Sequence, residues 1–267
     1  MEIDKLFSVK DKVAVVTGGS RGIGKMIASH LVQNGCKVYI ASHPMDEEQN
    51  IATAKEINCE PVVVDVTMMD SIKRLVSYIS DRENHVDILV NNAGAAIYHK
   101  IEDITEESYK IVNDVNQKAI LFMIQQFIPL LSGGYHYDGG TVVNLSSVVG
   151  TYNTASSHIG VDYMSAKAGQ NRMTAMLAQE LASKKITVNG IAPGATETVM
   201  LGAPDVTYDP KIYKKVNPLG RFVEPEDVGA AVIYLSSKAG SYMTGQILVL
   251  DGGLSQSINQ SEEWLLV

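Results

Sequence analysis

The 267-residue chain predicts a doubly wound α/β domain, and three observations carry that prediction. Short β-branched runs recur along its length. Longer stretches with helical spacing separate them. A glycine-rich turn follows the first run. Continuous apolar strands that alternate with helices belong to a parallel sheet covered on both faces.

Taken in order, Val13-Ala14-Val15-Val16 reads as a buried strand, and Gly-rich residues 18–24 lead into an amphipathic helix that ends near Asn34. Gly35 serves as its C-cap. Lys37-Val38-Tyr39-Ile40 is the second strand, a helix over about 46–57 follows, and Pro61-Val62-Val63-Val64 is the third strand, closed by Asp65. A helix over 69–82 precedes the fourth strand, Asp87-Ile88-Leu89-Val90. The second half repeats the theme: a long helix over 105–131, strand Thr141–Leu145, a helix over 162–184, strand Thr187–Ile191, a helix over 225–237 and strand Gln246–Leu250. That is a single domain, residues 1–267, with a sheet of about seven strands flanked by helices. Three stretches break the rhythm, at 132–140, 151–161 and 195–217, and long loops beside strand ends are where such folds place binding sites.

Composition excludes several classes of function. Apolar residues make up 45% and charged residues 19%, ordinary for a globular protein. A net charge of −8 argues against a nucleic-acid partner, which needs clustered Lys and Arg. The two cysteines, Cys36 and Cys59, lack metal-ligand spacing and read as reduced thiols, with no metal site. The N-terminal residues are charged and no apolar run reaches the ~18 residues of a membrane helix, so a cytoplasmic location without membrane attachment is expected.

Thr17-Gly18-Gly19-Ser20-Arg21-Gly22-Ile23-Gly24 lies at the first strand-to-helix junction. Glycines there let the backbone approach a pyrophosphate, and the helix N-terminus offers free N–H groups to that anion. Gly18, Gly22 and Gly24 are the key positions, with Ser20, Arg21 and Ile23 between them. At the first strand-to-helix junction such a turn points to a Rossmann-type domain that holds a dinucleotide, with a tight strand-to-helix connection as the alternative. An acid at the end of the second strand usually binds the ribose 2′-hydroxyl of NAD. Here the place reads Ala41-Ser42-His43-Pro44, with no carboxylate until Asp46, while Arg21 is positioned to meet a 2′-phosphate. NADP(H) is therefore expected over NAD(H), with Ser42 and His43 at the adenosine end. Asp65, next to Val66, is either an acceptor for the adenine amino group or a helix N-cap. Asn92, Ala93 and Gly94, after Asn91, are expected to shape the ribose and nicotinamide floor.

Tyr163 and Lys167 stand four apart at the start of a helical stretch and share one face. A phenol with a reference pKa near ~10 is a poor acid at neutral pH, and a nearby ammonium favours the phenolate. With Thr17-Gly18-x-x-x-Gly22-x-Gly24, Asn91-Asn92-Ala93-Gly94, Asn116, Ser146-Ser147, Tyr163-x-x-x-Lys167 and Pro193-Gly194 in this order, the sequence resembles the short-chain dehydrogenase/reductase family from about Val9 to Gly253. The overall likeness leans to its 3-oxoacyl-carrier-protein reductase-like, ketoreductase branch.

The resemblance implies that Tyr163 gives a proton to a carbonyl oxygen as hydride arrives from the nicotinamide. Lys167 would lower the Tyr163 pKa and bind the nicotinamide ribose. Ser147 rather than Ser146 would bind the substrate oxygen, and Asn116 would hold a water linked to Lys167. Pro193, Gly194 and Thr198 would pass the nicotinamide, Thr198 bonding its carboxamide. Residues 195–217 would be a substrate lid and 254–267 a tail. The implied activity is an NADPH-dependent ketone reductase or secondary-alcohol dehydrogenase acting on a small carbonyl or alcohol. A 3-oxoacyl thioester reductase and a polyol or sugar dehydrogenase are the alternatives, followed by a non-catalytic cofactor sensor. Segment 132–138 carries no Lys or Arg to dock an acidic carrier, although Lys184 and Lys185 are basic. Helices near 105–131 and 162–184 would pair with a neighbour's in a homotetramer or homodimer.

Overall fold

A computed structural model of the protein describes residues 2–132, 139–152, 160–197 and 210–256. After a short helix α1 (Ile3–Leu6), the chain alternates strand and helix: β1 (Val13–Thr17), α2 (Gly22–Gln33), β2 (Lys37–Ser42), α3 (Glu47–Ile57), β3 (Glu60–Val63), α4 (Met69–Ser80) and β4 (Ile88–Asn91). It continues through α5 (Glu106–Asn113), α6 (Ala119–Leu131), β5 (Thr141–Leu145), α7 (Val161–Leu181), β6 (Thr187–Pro193), α8 (Pro210–Val216), α9 (Pro225–Ser236) and β7 (Ile247–Leu250). The strands form one seven-stranded sheet in the order β3-β2-β1-β4-β5-β6-β7, every pairing parallel.

Period-two alternation sorts each strand's side chains onto two faces. Val13 and Val15 join a core with Ile72, Leu75, Ile79, Met123, Ile124 and Phe127 from α4 and α6. Ala14 and Val16 join the opposite core with Ile27 and Leu31 of α2 and Val228, Val232 and Leu235 of α9. Helices therefore cover both faces, which is why the strands read as unbroken apolar runs. The strand order reverses between β1 and β4, and such a switch point opens a crevice at the carboxyl ends of the strands.

The expected elements appear, with local differences. The helix over 105–131 is interrupted by a π-helical turn, Asp114–Lys118, that joins α5 to α6. The expected 46–57 helix begins at Glu47, and Asp46 belongs instead to a separate 3-10 turn, Pro44–Asp46, with Pro44 at its start, where a missing N–H costs nothing. The last residues of the 162–184 helix tighten into a 3-10 turn, Ala182–Lys184. Helix α8 lies inside the stretch 195–217 that sequence periodicity leaves unassigned. Among the described residues no helix is long and apolar enough to cross a membrane.

Candidate active site

A cavity of about 480 Å3 runs along the switch point from Arg21, His43, Asp46 and Asp65 at one end to Ser146, Tyr163 and Lys167 at the other. Gly18, Ser20, Gly22, Ile23, Val66, Asn92, Ala93 and Gly94 form its middle. Thus most of the residues singled out in the sequence converge on one space.

The glycine turn is shaped by contact. A Cβ on Gly24 would lie 2.2 Å from the Gly18 carbonyl oxygen, so only glycine lets α2 begin this close to β1. Gly18 has φ +64° and faces Ala93 and Asn92 at 3.0 Å from where a Cβ would sit. Asn92 pins this turn to β4. Its Nδ2 donates to the carbonyls of Thr17 at 2.9 Å and Gly18 at 3.1 Å. The Thr17 hydroxyl accepts from the backbone N–H groups of Asn92 and Ala93, each at 3.0 Å. The Asn92 amide is thereby committed to the protein, and the floor is offered by backbone. Close-approach glycines at an α-helix N-terminus fit a dinucleotide's pyrophosphate.

Charges gather at the adenosine end. Arg21 is paired with Asp46, its guanidinium nitrogen 3.0 Å and 3.1 Å from the two carboxylate oxygens. Asp46 was passed over in the sequence because it lies beyond the strand end, and the Pro44–Asp46 turn brings it back to the cavity. His43 accepts from the Met45 N–H at Nδ1 and faces Asp65 with Nε2 at 3.7 Å. Asp65 accepts from the Thr67 N–H and hydroxyl, an Asx turn, while Met68 is the N-cap of α4, so the capping alternative does not hold. Ser42 is buried and does not line the cavity. Pro193 and Gly194 close β6, where the Gly194 N–H donates to Leu250, and they too lie outside the cavity lining. Thr198 lies outside the described residues, as do Ser156, Ser157 and the residues 254–267 beyond Gln256.

At the other end, α7 presents Tyr163 and Lys167 one turn apart, with the Lys167 Nζ 5.7 Å from the phenol ring centre. Asp162, in the first turn of α7, accepts from the Tyr163 N–H at 2.9 Å and meets His99 Nε2 at 3.1 Å. That buried pair ties the loop after β4 to the start of α7. Ser147 lies beside the Tyr163 phenol and favours its ionisation, whereas the Ser146 hydroxyl is buried without a partner among the described residues. Gly150 makes this meeting possible: a Cβ there would sit 2.7 Å from the Lys167 backbone, so the turn after Ser147 packs directly on α7.

Electrostatics here differ from the expectation. Burial pushes the Tyr163 phenol well above its ordinary range, the neighbouring Tyr98 adds to this, and Ser147 opposes it. Burial also lowers Lys167 to about 7. Its Nζ donates to the Leu145 carbonyl at 2.8 Å and to Gln170 Oε1 at 3.2 Å.

Asn116 sits fully buried in the π turn and its amide is also committed. Nδ2 donates to the carbonyls of Ala95 at 2.6 Å and Val112 at 2.8 Å, and Oδ1 accepts from Ala95 N–H at 3.3 Å. The side chain latches the Gly94-Ala95 loop to the π turn. Sequence reasoning missed Gln170, Tyr98 and the His99–Asp162 pair. Only contacts across the fold make them visible.

A dinucleotide cradle and a phenol–amine pair in one cavity define an oxidoreductase of the doubly wound class. The family model described as enoyl-(acyl carrier protein) reductase matches residues 18–255. The chain belongs to the short-chain dehydrogenase/reductase family, whose members use nicotinamide cofactors and act on CH–OH and C=O groups. It is 34% identical over 250 residues to a 3-oxoacyl-[acyl-carrier-protein] reductase FabG of Thermotoga maritima, covering 92% of this chain and 98% of that one. It is 34% identical over 255 residues to an NAD-dependent glycerol dehydrogenase of Listeria innocua, covering 94% and 96%. Among solved structures, the Pseudomonas aeruginosa RhlG/NADP active-site complex superposes with a TM-score of 0.87 at 32% identity, covering 96% of this chain and all of that one.

Proposed function

We propose that the protein is an NADPH-dependent carbonyl reductase, reversible to secondary-alcohol oxidation, with Tyr163 as proton donor. The observation that carries this reading is Tyr163, one helical turn from Lys167 and beside Ser147, lining the same cavity as the glycine cradle. When bound, the nicotinamide exchanges a hydride with the substrate carbon. The protein's own groups do the rest. Half-buried Tyr163 holds its proton firmly and so stays neutral at neutral pH, and a substrate oxygen that takes on alkoxide charge is basic enough to draw that proton from it. Ser147 hydrogen-bonds the same oxygen and stabilises its developing charge. Lys167, one donor still directed to the cavity, binds the ribose and re-supplies charge beside Tyr163. Asn116 fixes the Gly94-Ala95 floor on which the ring lies.

The preference for NADPH rests on the adenosine end. β2 ends without a carboxylate, and Arg21 is the guanidinium that lines the rim. Asp46 opposes it, so the preference is set by a competition between a 2′-phosphate and a carboxylate for one arginine. The glycerol dehydrogenase relative is NAD-dependent by name and the RhlG structure holds NADP, so the family alone does not choose. The ketone is small or an acyl thioester, and residues 198–209 of the expected lid lie outside the described residues. Exposed apolar residues on α5, α6 and α7, Tyr109, Leu121 and Met176, support pairing with a second copy in a dimer or tetramer. A panel of ketones and alcohols assayed with both cofactors tests the reading. Turnover of ketones with a lower KM for NADPH is expected, and a clear preference for NADH would overturn the cofactor assignment.

A further inference from the structure

We propose that Gln170 is a positioning residue that fixes Lys167 in the site. The proposal rests on the reading of Lys167 just given and deepens it.

Gln170 is fully buried on α7, three residues after Lys167. Its Oε1 accepts from the Lys167 Nζ, while its Nε2 has no partner among the described residues. A buried amide donor left unpaired is costly, so its retention wants an explanation. The explanation lies at the other end of the same amide. An ammonium has three donors and no acceptor. Leu145 carbonyl and Gln170 Oε1 take two of them, from β5 and from α7. These two directions determine the third, which points along the cavity that Lys167 lines. Beneath this, the polar contacts continue: the Gln170 carbonyl accepts from the Thr174 hydroxyl, Thr174 accepts from Asn144 Nδ2, and Asn144 accepts from Asn91 Nδ2. These contacts root Gln170 and α7 on the ends of β4 and β5.

The same contact governs charge. Burial works against the ammonium, and a neutral acceptor dipole works for it without adding a competing base. Tyr163 is the titratable group that faces Lys167. On elements packed against α7, Lys110, Asp114 and Lys118 pair with one another near the surface, and Asp162 pairs with His99. Gln170 therefore sets the pH at which Lys167 loses its charge.

The test uses Gln170→Met, close in volume and unable to accept well, and Gln170→Glu, close in shape and anionic. NADPH affinity by fluorescence titration, and kcat/KM, are measured against pH, with thermal unfolding alongside. Both readouts should weaken as pH rises through the Lys167 transition. Gln170→Met should move that midpoint down by roughly one to two units, and Gln170→Glu should move it up. Thermal stability of Gln170→Met should fall at pH below the Lys167 transition, where the ammonium has lost an acceptor, and hold or rise above it, where the orphan amide donor is gone. A residue with a merely structural role would lower stability at every pH and leave the midpoint in place. Midpoints unchanged, or moved in the same direction, overturn the proposal. If Gln170→Glu fails to fold, the Gln170→Met midpoint decides alone. Lys167→Met separates the two levels of the argument. If it abolishes the transition while the Gln170 variants leave it unmoved, only the role of Gln170 fails. If it leaves binding and turnover as in the wild type, the proposed function fails first.

Discussion

The two ends of the cavity are built on opposite terms. At the cofactor end the surface is backbone: glycines in close approach, an Asn92 whose amide is used up holding the turn, and charged side chains at the rim already matched with each other. At the reaction end the surface is side chain: a half-buried phenol, a buried amine, and buried polar atoms on Ser146 and Gln170 that find no protein partner among the described residues. Recognition of an anion by N–H groups needs shape and a dipole, which the fold supplies without ionisable residues. Proton transfer needs groups whose affinity for a proton is displaced from its ordinary value, and burial is the means of displacing it. Substitutions should therefore fail differently at the two ends: bulk should break the first, and loss of a single polar atom the second.

The largest effect is expected from Tyr163→Phe, which removes one oxygen from the reaction end. Turnover should fall by roughly 10^2–10^4-fold, in line with the loss of a positioned acid. NADPH affinity by fluorescence should stay within a few-fold of the wild type. Next comes Gly24→Ala at the cofactor end. The added methyl meets the Gly18 carbonyl oxygen 2.2 Å away, so the turn must shift. NADPH affinity should drop by about tenfold or more, and the melting temperature should fall by several degrees, as overpacking of about 1–3 kcal/mol implies.

A third effect concerns stability against pH. Lys167 has an ordinary value of 10.5 and about 7 when folded. Between those values the unfolded chain holds a proton that the folded protein releases, so the Lys167 contribution makes the protein more stable as pH rises from about 7 towards 10.5. Lys12, also buried and lowered, adds a slope of the same sign. The difference between wild type and Lys167→Met in chemical unfolding across that range isolates the active-site lysine, and the variant should show the shallower rise. The smallest effect is at the rim. Asp46→Asn frees Arg21, and because the pair is partly exposed, NADPH should bind only a few-fold tighter while NADH affinity stays level.

Legibility in the sequence followed the same division. Strands buried on both faces announce themselves as β-branched runs, and each of the runs named became a strand. The strand order and its switch point were not read from the sequence, because pairing joins strands far apart in the chain. The π turn at Asp114–Lys118 was hidden, because apolar spacing on either side of it reads as one continuous helix. Helix α8 was hidden for another reason: it is short and carries three lysines, so its periodicity is weak. At the site, Tyr163 and Lys167 were legible because their partnership is local, four residues along one helix. The His99–Asp162 pair spans 63 residues and Arg21–Asp46 spans 25, and no local pattern marks either. The direction of the Tyr163 shift was not legible at all, since it depends on burial and on Tyr98, which only the fold brings together.

The central claim is that one cavity binds cofactor through backbone shape and transfers a proton through the half-buried phenol of Tyr163. Single-turnover hydride transfer to a ketone at saturating NADPH tests it most directly, with wild type, Gly24→Ala and Tyr163→Phe compared side by side. The account expects Gly24→Ala to transfer at close to the wild-type rate once enough NADPH is supplied, and Tyr163→Phe to bind NADPH and stall. Transfer by Tyr163→Phe at the wild-type rate would contradict it.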